Sequence, residues 1–409
     1  RAPYTMKMMQ DSKNDKEGEQ PDAEETEARA WFKENRESSS LTADDGTEQC
    51  PDWTIEPDGT CYRCYVAVYE HHVTAAVAYG IYNYVRITHD TEFLLHKGAE
   101  ILIETARFWK SRLQYIKEND RYEIHRVTGP DEWHEPVDNN VYTNYLARWN
   151  LRYVTALTEM LSREYPQEYT ALVEKLGLTE EEIADWDAVA AKVYLPRKEG
   201  TQLLEQFEGY FDLKEAVIEK YDSNDWPIRP EILNTTKKCE TQIIKQADVV
   251  MLLHLMGQEF DEETTKLNYS YYEKRTLHGS SLSPSIYSIM GLKVGDDSKA
   301  YRYLRRAALI DLVNLQGNTR EGIHAANAGG VWQVVVFGFA GVSLDEEGML
   351  CICPHMPPEW NGLTFRIHHL DSWLEITVHA DNSVEVKVLE GGSVEIRIQG
   401  EKVTVRREI

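Results

Sequence analysis

Two periodicities split this chain into a mainly helical part and a small antiparallel β part at its C-terminal end. From Val73 onward, apolar residues recur at helical spacing: Val73, Val77, Ile81 and Tyr84 share one face, and Ile101, Leu102, Ala106 and Trp109 continue the pattern in the next segment. After about Ser343 strict alternation takes over, in Leu363, Phe365, Ile367, then Leu374, Ile376, Val378, then Val384, Val386, Val388, then Val394, Ile396, Ile398. A hydrophobic content of 42% over 409 residues is enough to bury a large core, so one large domain and one smaller one are expected.

The elements follow in order. Residues 1–45 are polar and acidic, with Asp22, Glu24, Glu25 and Glu27 in one run, and show little periodicity. Residues 46–342 read as the helical domain. After the two segments above, a helix opens beyond Asp138 and carries Leu146, Trp149, Tyr153 and Leu157. Thr179 with Glu182 three residues later is a capping box that starts another. Spacing also predicts helix around 241–256, 296–315 and 331–339, for about eight or nine helices joined by loops. In residues 343–409, Asp381-Asn382 and Gly391-Gly392 mark turns at hairpin spacing, predicting a small β-sandwich with no chemical motif of its own.

Charge and composition exclude several roles. Asp and Glu outnumber Lys and Arg by 69 to 44, a formal net charge of −25, which repels nucleic acid. A small anionic substrate would have to be captured locally by aligned donors. The longest apolar run, 331–344, is too short and Gly-rich to span a bilayer, and the N-terminus lacks a signal-peptide layout. The expectation is a soluble cytoplasmic protein, and six sparse cysteines fit a reducing compartment. Cys61-x-x-Cys64, with Cys50 nearby, is half a zinc motif without a second half, so no metal is expected.

Four segments carry chemistry. Residues 127–144 form a polar, aromatic loop with Asp131, Glu132, Glu135 and Asp138 beside Trp133; a ring that covers a sugar face next to acids that read hydroxyls suits carbohydrate. Burial against Trp133 would raise a carboxyl pKa, as a general acid requires. The alternative is an acidic helix-capping loop. His278-Gly-Ser-Ser-Leu-Ser283 offers an approachable backbone at Gly279 with the hydroxyls and amides of Ser280 and Ser281, equipment for an oxyanion or simply a helix cap. Glu321-Gly-Ile-His324 places a His beside small residues. Lys245-Gln246-Ala-Asp248 adds a cation and an amide inside an otherwise apolar helix, where the Lys could merely snorkel.

Together the four segments resemble the glycoside hydrolase family 65 phosphorylases. The acid loop of that family resembles Gly129-Pro-Asp-Glu132 followed by an aromatic, His, and Val-Asp-Asn-x-Tyr-Thr-Asn, all present from Gly129 to Asn144. The blocks at Lys245, Ser280 and Glu321 follow in the family's order, and the similarity runs from about Gly46 to the C-terminus. The resemblance implies an (α/α)6 barrel followed by a small β domain. It also implies inverting phosphorolysis of an α-glucoside to β-glucose 1-phosphate and a free acceptor, with Glu132 as general acid. Ser280, Ser281 and His324 would hold phosphate; Lys245 and Gln246 would contact sugar or acceptor. Inorganic phosphate is then a co-substrate, no cofactor is implied, and a homodimer is the family's usual assembly.

Departures from the family pattern set the alternatives. The resemblance lacks the family's N-terminal β-sandwich and its Phe-Trp-Asp segment, so the barrel is expected to be incomplete and to expose apolar surface. Where the family shows Trp-Glu-Ser this chain has Arg36-Glu37-Ser38, which keeps Glu37 as a sugar contact and loses the Trp. Tyr287 stands where many relatives have His. In Glu70-His71-His72, His72 is either a pocket residue or a structural one. The competing readings are a hydrolase of the same family, resembling acid trehalase, and an inactive relative that binds carbohydrate.

Overall fold

The computed structural model describes residues 53–55, 61–63, 69–223, 226–345 and 347–407. Two compact units divide the chain, Arg1–His71 and His72–Ile409. Within the first, β1 (Trp53–Ile55) pairs antiparallel with β2 (Cys61–Arg63). Glu37 and Arg36, Cys50 and Cys64 lie outside the described residues.

The second unit begins with α1 (His72–Thr88) and α2 (Ala99–Arg112), then a short hairpin, β3 (Gln114–Ile116) and β4 (Arg121–Glu123). α3 (Val141–Glu164), α4 (Pro166–Leu176) and α5 (Glu180–Ala190) follow, and a long irregular connection leads to α6 (Val249–Leu255) and α7 (Glu262–Glu273). α8 (Ser283–Lys293), α9 (Asp297–Leu309) and α10 (Ala325–Gln333), which runs on into a π-helix (Val334–Phe339), complete the helical part. α3 packs on α1, α2, α5 and α6, and α8 packs on α6, α9 and α10.

Burial sorts these helices into two layers. Residues 283–292 of α8 are all buried, the mark of a helix surrounded by others. α9 buries one stripe, Ala300, Tyr303, Leu304 and Ala307, and shows its remaining face to solvent. This alternation of inner and outer helices is that of an (α/α)6 barrel. Asn140 caps α3 by accepting from the Thr143 N–H at 2.9 Å, and Thr179 caps α5 by accepting from the Glu182 N–H at 3.1 Å, as the capping-box sequence predicts.

The face assigned to α1 is a correction. Ala75, Ala78 and Ile81 are buried, whereas Val73, Val77 and Tyr84 are about half exposed. Small residues at 75 and 78 let the backbone approach its neighbours, and Tyr79 and Tyr82 then reach α3, where they meet Trp149 edge-on at 5.5 Å. Trp149 and Tyr153 stack on each other with 2° between planes. A second correction concerns 241–256: helix begins only at Val249, because Thr241 bridges to Lys214 and residues 244–245 bond to 275–279.

The C-terminal strands form two sheets. β7 (Gly362–His369), β8 (Ser372–His379) and β9 (Val384–Glu390) make one. β5 (Val342–Leu344), β6 (Leu350–Ile352), β10 (Val394–Ile398) and β11 (Glu401–Val405) make the other. Leu374, Ile376 and Val378 from the first share a core with Leu350, Ile352 and Ile396 from the second. Asn382, at φ 65°, turns β8 into β9 as the sequence predicts. Gly391-Gly392 does not make a hairpin: it carries the chain from β9 to β10 in the other sheet, and β10 pairs with β6 in parallel.

Gly341 enters this domain at φ 65°, where an added Cβ would collide with the Cys353 carbonyl. Gly341→Ala is therefore expected to cost at least about 3 kcal/mol. Gly348→Ala, at φ 81° in open space, is expected to cost about 1 kcal/mol. Thermal melts of the two variants read the difference.

Candidate active site

The loop before α3 is organised around Asp131, which is 1% exposed. Its Oδ1 accepts from the backbone N–H of Lys245 at 2.8 Å, and its Oδ2 accepts from His134 Nδ1 at 2.6 Å and Gln206 Nε2 at 3.1 Å. The His134 Nε2 faces the Thr241 carbonyl at 2.9 Å. Both ring nitrogens thus meet acceptors, which calls for both to carry protons. Burial lowers the His134 pKa, but the hydrogen bond and charge of Asp131 and the Thr241 carbonyl outweigh it, and the net shift is upward.

Asp248, the N-cap of α6, closes the loop from the other side. It accepts from the Asp131 N–H at 3.2 Å and from Asn140 Nδ2 at 3.1 Å. Burial, then the neighbouring Asp131 charge, push its carboxyl from 3.8 up to about 8. A side chain at Gly129 would collide with both Asn140 and Asp248, so only glycine fits beneath them.

Held this way, the loop presents Glu132 to the 245–246 segment. Lys245 Nζ lies 2.6 Å from Glu132 Oε2, and Gln246 Nε2 donates to Oε1 at 3.3 Å as well as to the Pro130 carbonyl. Gln246 Oε1 is buried without a hydrogen-bond partner. The Lys245 carbonyl in turn accepts from the Gly279 N–H at 2.9 Å, which fastens the Ser280-Ser281 loop to the same strand-like segment. Ser280 and Ser281 are half-buried just ahead of α8, and an added Cβ on Gly330 of α10 would lie 2.6 Å from Ser285 Oγ, so α8 and α10 approach closely.

The remaining candidates divide. His72 Nδ1 donates to the Thr128 carbonyl at 3.1 Å and its ring meets Tyr142 edge-on, bracing the acid loop. His324, at the start of α10, donates from Nδ1 to Asp311 Oδ1 at 2.6 Å and so holds Asp311 below the usual carboxylate range. Trp133 packs onto the cluster of Ile218, Leu233 and Ile243, with Lys238 Nζ 5.4 Å from its ring centre. Burial raises the carboxyl pKa of Glu135 in this loop. Lys245 lies ahead of α6 and not inside a helix, a correction that follows from its carbonyl's bond to the Gly279 N–H. Tyr287 lies in the core, 2.5 Å from Thr276 Oγ1.

Two family models match the chain. The model described as the glycosyl hydrolase family 65 central catalytic domain matches residues 39–333, and that of the family's C-terminal domain matches 345–405. The chain belongs to glycoside hydrolase family 65. It is 50% identical over 365 residues to kojibiose phosphorylase of Thermoanaerobacter brockii, covering 89% of this chain and 47% of that protein. It is 36% identical over 341 residues to the α,α-trehalose phosphorylase of the same organism, covering 83% and 43%. A solved structure described as a candidate kojibiose phosphorylase from the human microbiome superposes with a TM-score of 0.74 at 28% identity, over 94% of this chain and 49% of that one. The chain spans about half the length of the curated relatives it matches. No helix among the described residues is long and apolar enough to cross a membrane.

In this family 65 chain, sequence reasoning missed the supports: Asp131 and His134 as a pair, Asn140, Gln206 and Asp248. The Asp248 signal was present in the Lys245-Gln-Ala-Asp248 block, since an Asp directly before an apolar helical run is a cap candidate. Because folding raises the Asp248 pKa from 3.8 to about 8, the folded state holds a proton that the unfolded chain releases between those values, and stability falls as pH rises across that window. Asp248→Asn, similar in shape and uncharged, is expected to lack that decline. Urea midpoints at pH 5 and pH 8 should therefore separate less in the variant than in the wild type.

Proposed function

We propose that the chain catalyses inverting phosphorolysis of an α-glucoside, with Glu132 as general acid and inorganic phosphate as nucleophile. The observation that carries this reading is the meeting at Lys245: its side chain engages Glu132 and its carbonyl anchors the Gly279-Ser280-Ser281 loop. One short segment thereby ties a proton donor to a candidate oxyanion loop, which is the positioning that bimolecular displacement at a sugar carbon demands.

In the proposed step a phosphate oxygen forms a bond to the anomeric carbon as the bond to the acceptor oxygen breaks, and the Glu132 proton passes to that departing oxygen. Both Glu132 oxygens accept hydrogen bonds from Lys245 and Gln246, so one of these contacts is released when the proton is carried. Ser280, Ser281 and His324 would bind phosphate locally, as the net charge of −25 requires. Gln246, whose Oε1 lacks a partner, would accept from a sugar hydroxyl, with Lys245 beside it. Phosphate needs no base, whereas hydrolysis needs a second carboxylate to activate water. The other loop carboxylates are engaged: Asp131 by His134, Asp138 by the Arg126 N–H at 2.8 Å, and Glu135 by Thr128.

The higher identity to a kojibiose phosphorylase than to a trehalose phosphorylase supports kojibiose as the first disaccharide to test. We further propose residues 46–342 as the catalytic domain and 343–409 as its β companion. A cytoplasmic site of action fits a phosphorylated product that membranes retain, and a homodimer remains the expected assembly.

Release of phosphate from β-glucose 1-phosphate with glucose as acceptor tests the reading. Glu132→Gln is expected to lower kcat about 10³-fold. Ser280→Ala with Ser281→Ala is expected to raise KM for β-glucose 1-phosphate about tenfold or more with a smaller change in kcat. Turnover of kojibiose that proceeds without phosphate, or that survives in Glu132→Gln, contradicts the assignment.

A further inference from the structure

His278 stands directly before Gly279-Ser280-Ser281, and its backbone lies at φ 51°. That left-handed region is uncommon for a residue with a side chain, and it persists only where the surroundings hold it. Three helices supply the hold. Glu273 ends α7, Ser283 opens α8, and Lys299 and Tyr303 lie one turn apart on α9.

The hydrogen bonds among them run in one direction. Tyr303 Oη donates to Glu273 Oε1 at 2.9 Å, and Lys299 Nζ donates to Oε2 at 2.8 Å. The single Tyr303 hydroxyl hydrogen is thereby placed, so the Tyr303 oxygen accepts from His278 Nε2–H at 3.1 Å. Nδ1 then carries no proton and accepts from Ser283 Oγ at 2.9 Å. Burial, with Arg306 and Lys299 nearby, holds the His278 pKa down at about 3, in agreement with a neutral ring of one N–H. His278, Tyr303, Glu273 and Ser283 are all buried, and a buried polar chain whose members are satisfied is rigid.

Packing alone does not call for this chain. Glycine would adopt the turn without strain, and an apolar ring would fill the space beside Tyr287 and Tyr303, whose ring centres lie 4.7 Å from that of His278. What the polar contacts add is direction. The imidazole ties residue 278 to α8 and α9, and the next amide, Gly279 N–H, donates to the Lys245 carbonyl at 2.9 Å. Held at two successive residues, the chain has one course into Ser280 and Ser281.

We propose that His278 is a positioning residue for phosphate: Tyr303 and Ser283 lock its ring, the locked ring holds the left-handed turn, and the turn aims the Ser280-Ser281 loop. The proposal rests on the reading of Ser280 and Ser281 as phosphate contacts. Isothermal titration calorimetry of the 409-residue chain with inorganic phosphate and, separately, with kojibiose tests it. Tyr303→Phe keeps the aromatic ring and removes the oxygen that His278 needs. It is expected to weaken phosphate about threefold to tenfold and to leave kojibiose within about twofold, a split that a general loss of fold does not give. His278→Asn, which tolerates the left-handed turn, is expected to keep more phosphate affinity than His278→Ala. Ring ¹⁵N NMR of the wild type, with His278 assigned by its loss in His278→Asn, is expected to show one N–H, on Nε2. A wild-type ring protonated on Nδ1 instead overturns the proposal. So does unchanged phosphate affinity in Tyr303→Phe, an equal loss for both ligands, or equal phosphate affinity in the two His278 variants. Ser280→Ala with Ser281→Ala separates the proposal from the reading beneath it. If that pair weakens phosphate and Tyr303→Phe does not, the role of His278 fails and the loop reading stands. If the pair leaves phosphate unaffected, the loop reading fails and takes the proposal with it.

Discussion

The buried carboxylate of Asp131 is the constraint on which the site depends. It gathers three segments far apart in sequence: His134 in its own loop, Gln206 from the long connection, and the backbone of Lys245. A buried charge is tolerated only when its oxygens are saturated with donors. That requirement fixes the neighbours as firmly as they fix Asp131. Removing His134 alone would leave the carboxylate without its cation, a change that typically costs about 3–5 kcal/mol, whereas the intact pair contributes little net stability. The pair therefore serves geometry more than stability: it sets where residue 132 emerges and where residue 245 passes.

From that anchor the rest of the site is assembled by backbone bridges. The 244–245 segment runs beside 275–279: Ile244 donates to the Arg275 carbonyl and accepts from the Leu277 N–H, and Lys245 accepts from the Gly279 N–H, at 2.9–3.0 Å. The acid loop, the 245–248 block and the Ser280 loop lead directly into α3, α6 and α8, and His324 stands at the start of α10. Rigid helices thus set the positions, and the connections carry the chemistry.

Much of this was legible in the sequence, for physical reasons that can be named. Apolar alternation in β7 to β9 and the Thr179–Glu182 box are local signals, and both gave the right element. Three of the four motif blocks marked residues that meet around Lys245, whereas His324 of the fourth pairs with Asp311. What could not be read was tertiary. Val73, Val77 and Tyr84 form an apolar stripe, yet Ala75 and Ala78 face the core, because close helix approach favours small side chains over a wide hydrophobic face. Lys245 sits in a helical pattern but ahead of α6, since the bonds of residues 244–245 to 275–279 overrode local propensity. Gly391-Gly392 reads as a hairpin turn, but no local feature says that the next strand joins the other sheet. Trp133 packs against Ile218 and Leu233, partners that only the fold supplies.

The most direct measurement of the central claim is ring ¹⁵N NMR of the histidines across a pH titration, with His134 assigned by its loss in His134→Gln. The ion pair with Asp131 predicts a ring that carries two N–H groups and titrates above the ordinary value of 6.5, and that loses this behaviour in Asp131→Asn. A His134 ring with a single N–H at neutral pH, or a midpoint below 6.5, would contradict a charged pair at the centre of the site.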